Sequence, residues 1–124
     1  MEKVVLDTNI LIEILKGNQK IISKLEHLDI TYCISSITAM ELFYGALNKQ
    51  ELLKLKKFIT LFEVIQLNEK ISIISTDLIF KYSKSHNLAI ADSLIASTCI
   101  SENISLYTLN LKDFKFIQDL NLLK

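Results

Sequence analysis

The stretch VVLDTN at residues 4–9 decides how the rest of the chain is interpreted. Its first three residues form a short apolar run rich in β-branched side chains, which is typical of a strand buried within a sheet. Asp7 follows this run directly, and a buried strand seldom ends on a charge that has neither a partner nor a function. A helix ending near Gly17 comes next, capped by Thr8 or Asn9, although Asp7 is itself a good cap. The stretch therefore predicts a central strand that carries Asp7 at its carboxyl end.

Helical and strand-like segments alternate along the rest of the chain. Further strands are predicted at residues 30–34, 63–67 and 104–108, and further helices at residues 19–27, 36–46, 50–61, 69–85 and 89–101. Strands separated by helices predict a parallel sheet with helices on both faces, within one domain spanning residues 1–124. In such a sheet the ligand site forms beyond the carboxyl ends of the strands.

The charge composition neither requires nor excludes a nucleic-acid ligand. The chain has 14 basic and 14 acidic residues, and every basic residue is Lys. Since the net charge is zero, any nucleic-acid binding must come from local patches. Without Arg, the chain lacks the planar group that holds a phosphate through two hydrogen bonds, and a bound metal ion is a natural substitute.

The cysteines, the histidines and the termini carry little functional signal. Cys33 and Cys99 lie far apart in apolar segments, which predicts buried core thiols rather than a disulfide or a zinc site. His27 and His86 are predicted to be solvated and not to bind a ligand. The sequence begins with no basic and apolar regions of a signal peptide, and no uncharged apolar run approaches the ~20 residues of a membrane span. We therefore expect a cytoplasmic protein with no membrane partner.

Glu41 is the second acid in an unexpected place. It lies in the segment ITAMELFY at residues 37–44, where its neighbours on a helix are mostly apolar. This pattern predicts a carboxylate that faces inward or into a cleft. The alternative is a capping box with Thr38, which would require the helix to begin at Thr38 rather than after Ser35 or Ser36.

Asp92 is the most informative acid, because it is the only charged residue between positions 88 and 100. An uncompensated carboxylate there would cost several kcal/mol of desolvation, so it should meet a cation or a cluster of hydrogen bonds. The alternative is an acid favoured at a helix start by the helix dipole. Asp113 follows the last predicted strand, where an Asp usually forms a turn.

The first three of these acids come from the start, the middle and the late part of the chain. Acids on the strand-to-helix connections of a parallel sheet can converge at one crevice. Carboxylates without His or Cys partners form a hard oxygen site, which suits Mg²⁺ or Mn²⁺ rather than zinc. Such a site most often binds phosphate oxygens.

Four segments together resemble the PIN-domain family, and within it the VapC-type toxins of toxin–antitoxin pairs. They are VLDTN at 5–9, SSITAMEL at 35–42, ADSLIA at 91–96 and YTLNLKDF at 107–114. Their order, their spacing and the total length all match, so the resemblance covers essentially the whole chain. It implies a three-layer α/β/α fold with a central parallel sheet and cleavage of single-stranded or loop RNA that depends on Mg²⁺ or Mn²⁺.

The resemblance also implies roles for individual residues. The acids implied to be catalytic and to bind metal are Asp7, Glu41, Asp92 and Asp113. The residues implied to support them are Thr8, Asn9, Thr108 and Asn110. Relatives place the fourth acid at the position of either Asn110 or Asp113, and only Asp113 is acidic here. Relatives also often use Arg near the cleft, and this chain has none.

The partners implied by the resemblance are an RNA substrate, a small antitoxin protein and a second copy of the chain. Two related alternatives are an RNA-processing nuclease outside a toxin–antitoxin system and a non-catalytic RNA-binding domain. A phosphatase with Asp7 as nucleophile would want a second Asp two residues later, where Asn9 stands.

Overall fold

Four parallel strands form the central sheet of the computed structural model, which describes residues 2–27 and 29–123. In chain order the elements are β1 (Glu2–Leu6), α1 (Thr8–Leu15), α2 (Gln19–Lys24), β2 (Ile30–Ser35), α3 (Ser36–Tyr44), α4 (Lys49–Ile59), β3 (Glu63–Ile65), α5 (Glu69–Tyr82), α6 (Ile90–Glu102) and β4 (Ser105–Tyr107), followed by a 3₁₀ turn at Leu111–Asp113. The strand order is β3-β2-β1-β4, and all three pairings are parallel. The predicted α/β fold is confirmed.

Strand β1 lies at the centre because it pairs with β2 on one side and with β4 on the other. Its residues Val4, Val5 and Leu6 are fully buried, as the opening stretch predicted. Successive side chains of a strand point to opposite faces. Val5 accordingly packs in an apolar layer with α5 and α6, while Val4 and Leu6 pack in a second layer with α1, α3 and α4. These layers give the three-layer α/β/α arrangement.

Both cysteines are free and buried, and they belong to the layer that contains Val5. The interpretation as core thiols is confirmed. Burial raises the pKa of each thiol, that of Cys33 to about 12. Both therefore stay protonated at neutral pH, and the Cys33 thiol also donates to Glu63 Oε2 at 3.1 Å.

Side-chain caps fix the starts of several helices. Ser35 caps α3, as predicted, and Asn68 caps α5; their side chains accept hydrogen bonds from the backbone N–H groups of Ile37 and Ile71. The start of α1 differs from the prediction, because Asp7 caps it in place of Thr8 or Asn9. Asp7 is the last extended residue before the helix, and this conformation directs its carboxylate at the free N–H groups of the first turn.

Several elements are shorter than predicted. Strand β3 stops at Ile65, since the N–H of Leu67 turns to the Ser36 hydroxyl at 3.3 Å. Helix α5 stops at Tyr82. The longest helix within the described residues has 14 residues, and no helix there is both long and apolar enough to cross a membrane.

Candidate functional site

The carboxyl ends of β1, β2 and β4 place the site residues at one edge of the sheet. Asp7 directly follows β1, and Thr108 directly follows β4. The parallel register aligns Leu6 with Tyr107, and the N–H of Asp7 donates to the Tyr107 carbonyl at 2.9 Å. Asp7 and Thr108 are therefore neighbours although about a hundred residues separate them in sequence.

Two hydrogen bonds hold the Asp7 carboxylate, which is only 5% exposed. Oδ1 accepts from the N–H of Thr8 at 2.8 Å, and Oδ2 accepts from the Thr108 hydroxyl at 2.7 Å. Burial raises the pKa of Asp7, these two hydrogen bonds lower it, and the negative charges of Glu41 and Asp113 raise it further; the net shift is upward. Asp7 is thus fixed in position by neutral donors.

The loop after β4 closes around Thr108. Its hydroxyl oxygen accepts from the N–H of Asn110 at 3.0 Å and lies 3.5 Å from Asn9 Nδ2. Asn9 Oδ1 accepts from the N–H of Leu109 at 3.4 Å, which ties α1 to this loop. The structure brings Asn9, Thr108 and Asn110 together beside Asp7, with Asn110 contributing its backbone and not its side chain.

Glu41 lies on α3 and reaches the site through Thr8. Its Oε1 accepts from the Thr8 hydroxyl at 2.7 Å, and the same hydroxyl lies 3.1 Å from that of Thr38. Because α3 begins at Ser36 with Ser35 as its cap, the alternative of a capping box between Thr38 and Glu41 is wrong. Glu41 is exposed and borders a cleft of about 430 Å³.

Thr38 is the neighbour of the site that sequence reasoning missed. It is fully buried beneath Thr8 and Glu41. Its position three residues before Glu41 places it on the same helix face. The three-residue spacing from Glu41 is the sequence signal that places Thr38 near the site, but the same spacing also fits a capping box.

Asp92 lies in the first turn of α6, whose cap residue Ala89 provides no side-chain hydrogen bond. Burial raises the pKa of Asp92 to about 6, and the negative charges of Asp7, Asp113 and Glu41 contribute further. All four acids therefore interact at short enough range to repel one another. The alternative of a simple helix-start acid does not account for this raised pKa, because the helix dipole would lower it.

No ion pair among the described residues neutralises the four acids. The recorded pairs join Lys3 to Glu63, Lys16 to Glu13 and Lys81 to Asp77. The donors at the site are carboxylates and Thr hydroxyls, and such hard oxygen ligands fit Mg²⁺ or Mn²⁺. Within residues 2–27 and 29–123, however, no three acidic, His or Cys side chains lie close enough together to hold a single ion.

Known proteins share both the sequence pattern and the fold. The family model for the PIN domain matches residues 4–118. Ribonuclease VapC1 of Methanocaldococcus jannaschii is 34% identical over 122 residues, which cover 97% of this chain and 85% of that protein.

Solved toxin–antitoxin complexes contain chains of similar structure. A chain of VapBC2 from Rickettsia felis, solved with a DNA fragment from its promoter, has a TM-score of 0.83 and 34% identity and covers 98% of this chain and 97% of its own length. A chain of VapBC-1 from nontypeable Haemophilus influenzae has a TM-score of 0.82 and 27% identity, with coverage of 98% and 97%.

Proposed function

The chain belongs to the PIN-domain family, and from this premise we propose that it is a VapC-type toxin that hydrolyses RNA with Mg²⁺ or Mn²⁺. The observation that carries the proposal is the meeting of acids at the carboxyl ends of the strands: Asp7 is held there by two hydrogen bonds, and it lies close enough to Glu41, Asp92 and Asp113 for their charges to interact. Carboxylates perturbed in this way cluster at functional sites. A divalent cation is the partner that turns their mutual repulsion into a net attraction.

The residues proposed to hold the metal are Asp7, Glu41, Asp92 and Asp113. Asp7 is already fixed by two hydrogen bonds. Glu41 and Asp113 are exposed, and one hydrogen bond from Thr8 holds Glu41, so both side chains have room to change rotamer. Since no three of the described acids lie within reach of a single ion, such a rotation is needed for shared binding. Thr8 and Thr108 then act as positioning residues, because their hydroxyls orient Glu41 and Asp7.

The proposed reaction is attack of water on the phosphorus of an RNA phosphodiester, with breakage of the bond to the 3′ oxygen. When bound, the metal supplies a Lewis acid for the phosphate oxygens and lowers the pKa of water. In the described part of the chain no His forms a hydrogen bond with any of the four acids, and the His86 ring is hydrogen-bonded to Ser85 instead. We therefore expect products with a 5′-phosphate and a 3′-hydroxyl, with no role for the 2′-hydroxyl of the RNA as nucleophile.

The antitoxin is proposed to cover the cleft that Glu41 borders. Apolar side chains line this cleft, among them Ile12, Leu15 and Leu42. Tyr44, at the end of α3, is 95% exposed and extends the apolar surface. A peptide with apolar anchors would bury this surface and would at the same time block access to Glu41. The similar chains in VapBC complexes support a partner of this kind.

A second copy of the chain is proposed to cover a different apolar face, on α5 and α6. Ile73, Phe80 and Ile90 are 63%, 88% and 70% exposed there. None of the four acids lies among the residues that line the shallow grooves of this face. A homodimer built on it would therefore leave the acids accessible, as an active toxin in the cytoplasm requires. Phe80→Glu should then give a monomer in light-scattering measurements.

The test of this function is expression of the chain with and without its upstream neighbour gene, followed by mapping of RNA ends. We expect toxicity and new 5′-phosphate ends when the chain is expressed alone, and neither when the antitoxin is present. Purified protein should cut RNA in Mg²⁺ or Mn²⁺ and not in chelator. The matched control is Asp29→Asn, which removes an exposed acid directly before β2, at the opposite end of the sheet from the proposed site.

Other outcomes would select the alternatives. Tight RNA binding without cutting in either metal would indicate a non-catalytic RNA-binding domain. Metal-dependent cutting that no neighbouring protein inhibits would indicate an RNA-processing nuclease outside a toxin–antitoxin pair.

A further inference from the structure

An aromatic cluster lies beside the acids, where the C-terminal segment crosses the end of α5. The rings of His86 and Phe116 are stacked, with centroids 4.2 Å apart and planes inclined by 11°. Tyr82 packs edge-on against both, at 5.7 Å from His86 and 5.1 Å from Phe116. Tyr82 thus supports the stack from the protein side, and His86 is exposed to solvent.

A cavity of about 720 Å³ opens next to this stack. Its lining residues are His86, Lys112, Asp113, Lys115 and Phe116. Asp113 also raises the pKa values of Asp7 and Asp92, so the cavity adjoins the acidic site. The lining contains aromatic and charged side chains but no aliphatic ones.

We propose that His86 and Phe116 form a platform on which a base of single-stranded RNA stacks, next to the phosphate that is cut. This inference rests on the proposed ribonuclease function and names how its substrate is held. An exposed ring that is already stacked on one face can add a nucleobase to its other face, and such stacking tolerates any base. Lys112 and Lys115 are exposed beside the platform and can contact the flanking phosphates.

The composition of the cavity favours RNA over a peptide partner. A docked protein segment is usually anchored by apolar side chains in an apolar groove. The cleft bordered by Glu41 offers aliphatic side chains such as Ile12, Leu15 and Leu42, whereas aromatic and charged side chains line this cavity. Ring faces flanked by two lysines match the alternating bases and phosphates of a single strand.

The experiment uses the full chain with Asp92→Asn, which prevents cutting, and short single-stranded RNAs carrying 2-aminopurine at successive positions. We expect fluorescence quenching at one position, which reports stacking. Adding His86→Ala should remove that quenching and weaken binding about tenfold. Adding His86→Phe should restore both, because it keeps a flat ring without the imidazole.

Two further variants separate charge from stacking. Lys115→Ala should weaken binding at every labelled position and reduce its salt dependence. Lys70→Ala, an exposed lysine outside the lining of the cavity, should change neither. In the chain with Asp92 intact, His86→Ala should raise KM about tenfold with kcat within about twofold, which a loss of fold would not do.

The platform is contradicted if His86→Ala leaves affinity, quenching and KM unchanged while the parent chain still cuts RNA. In that case the ribonuclease function stands and the stack serves only to hold the C-terminal segment. Loss of antitoxin binding in His86→Ala with unchanged RNA affinity would also contradict it and indicate a protein-binding surface. If the parent chain neither binds nor cuts RNA, the proposed function fails together with the platform.

Discussion

The inner half of the acidic site differs from its outer rim. At the inner half, Asp7 is 5% exposed and its two carboxylate oxygens accept hydrogen bonds from Thr8 and Thr108. At the rim, Glu41 and Asp113 are exposed, and Glu41 accepts a hydrogen bond from the Thr8 hydroxyl alone. The inner half is built into the sheet, because Asp7 and Thr108 continue two hydrogen-bonded strands.

This difference shows how the fold can tolerate several acids at one place. The carboxylate held by the sheet cannot move away, so its pKa rises with burial. The exposed acids are hydrated and can approach or leave. We infer that the inner half provides the fixed ligand and that the rim completes the site.

The largest effect is expected at Asp7 and Asp92, which are less exposed than Glu41 and Asp113. Asp7→Asn or Asp92→Asn should lower RNA cleavage at least about a thousandfold, since each removes a charge from the proposed metal site. The fold should persist, because an amide can still accept the N–H of Thr8 at position 7. Cleavage rates with saturating Mn²⁺ and circular dichroism spectra measure the two effects.

The surface change Asp29→Asn provides the control for these variants, and it should cut at the parent rate. Cleavage by Asp7→Asn or Asp92→Asn at that same rate would contradict the assignment of both acids.

A smaller effect is expected at Thr108, which orients Asp7 without being a proposed ligand. Thr108→Val keeps the shape and removes the hydroxyl that donates to Oδ2 at 2.7 Å. Loss of such a supporting group should cost about 10- to 100-fold in metal affinity or activity. Thr98→Val, at a buried hydroxyl that donates within α6, is the matched control. Equal losses of metal affinity or activity in Thr108→Val and Thr98→Val would show that the hydrogen bond holding Asp7 has no specific role in the site.

A still smaller effect is expected at the rim. Asp113→Asn should lower cleavage about tenfold, and raised Mn²⁺ should recover part of the loss, because an exposed ligand is the easier one for water to replace. Titration of the rate with Mn²⁺ measures this. If Asp113→Asn lost RNA cleavage as completely as Asp7→Asn, the distinction between the inner half and the rim would be wrong.

The smallest effect concerns stability and pH. The folded pKa of Asp92 is about 6 and its ordinary value is 3.8, so the folded chain holds a proton that the unfolded chain releases between these values. Stability in chelator should therefore fall as pH rises from about 4 to about 6, and then level off. Asp92→Asn should remove about 1–2 kcal/mol of that fall, an amount reduced for solvent screening.

Urea unfolding at pH 4 to pH 8 in chelator measures this difference between the parent chain and Asp92→Asn. Mg²⁺ should raise the stability of the parent chain above pH 6 more than that of the variant. Parallel profiles of stability against pH in the two chains would mean that the raised pKa of Asp92 does not cause the fall in stability.

The sequence predicted the fold well because burial patterns and caps are local signals. An uninterrupted apolar run predicts β1, and Ser35 or Ser36 marks the start of α3. The ends of β3 and α5 were harder to predict from the sequence, because they depend on partners distant along the chain. The hydrogen bond from Leu67 to Ser36, which ends β3, joins residues 31 positions apart.

The site could be predicted in part. Acids in apolar segments can be identified as site candidates from the sequence, because the desolvation of their charge must be compensated. The pairing of Asp7 with Thr108 depends on strand register, and the stack of His86 on Phe116 depends on how the C-terminal segment crosses α5. The sequence predicts a solvated His86. The residue is exposed, but the contact of its ring with Phe116 could not be predicted from the local sequence. The metal-binding roles of the four acids stay predictions.

The proposed metal site can be observed in a crystal structure of the chain grown with Mn²⁺, in which anomalous scattering locates the ion. We predict a peak bound by oxygens of Asp7 and Asp92, with Glu41 or Asp113 rotated inward to join them. No peak within bonding distance of Asp7 and Asp92, at an Mn²⁺ concentration that supports RNA cleavage, would contradict the account.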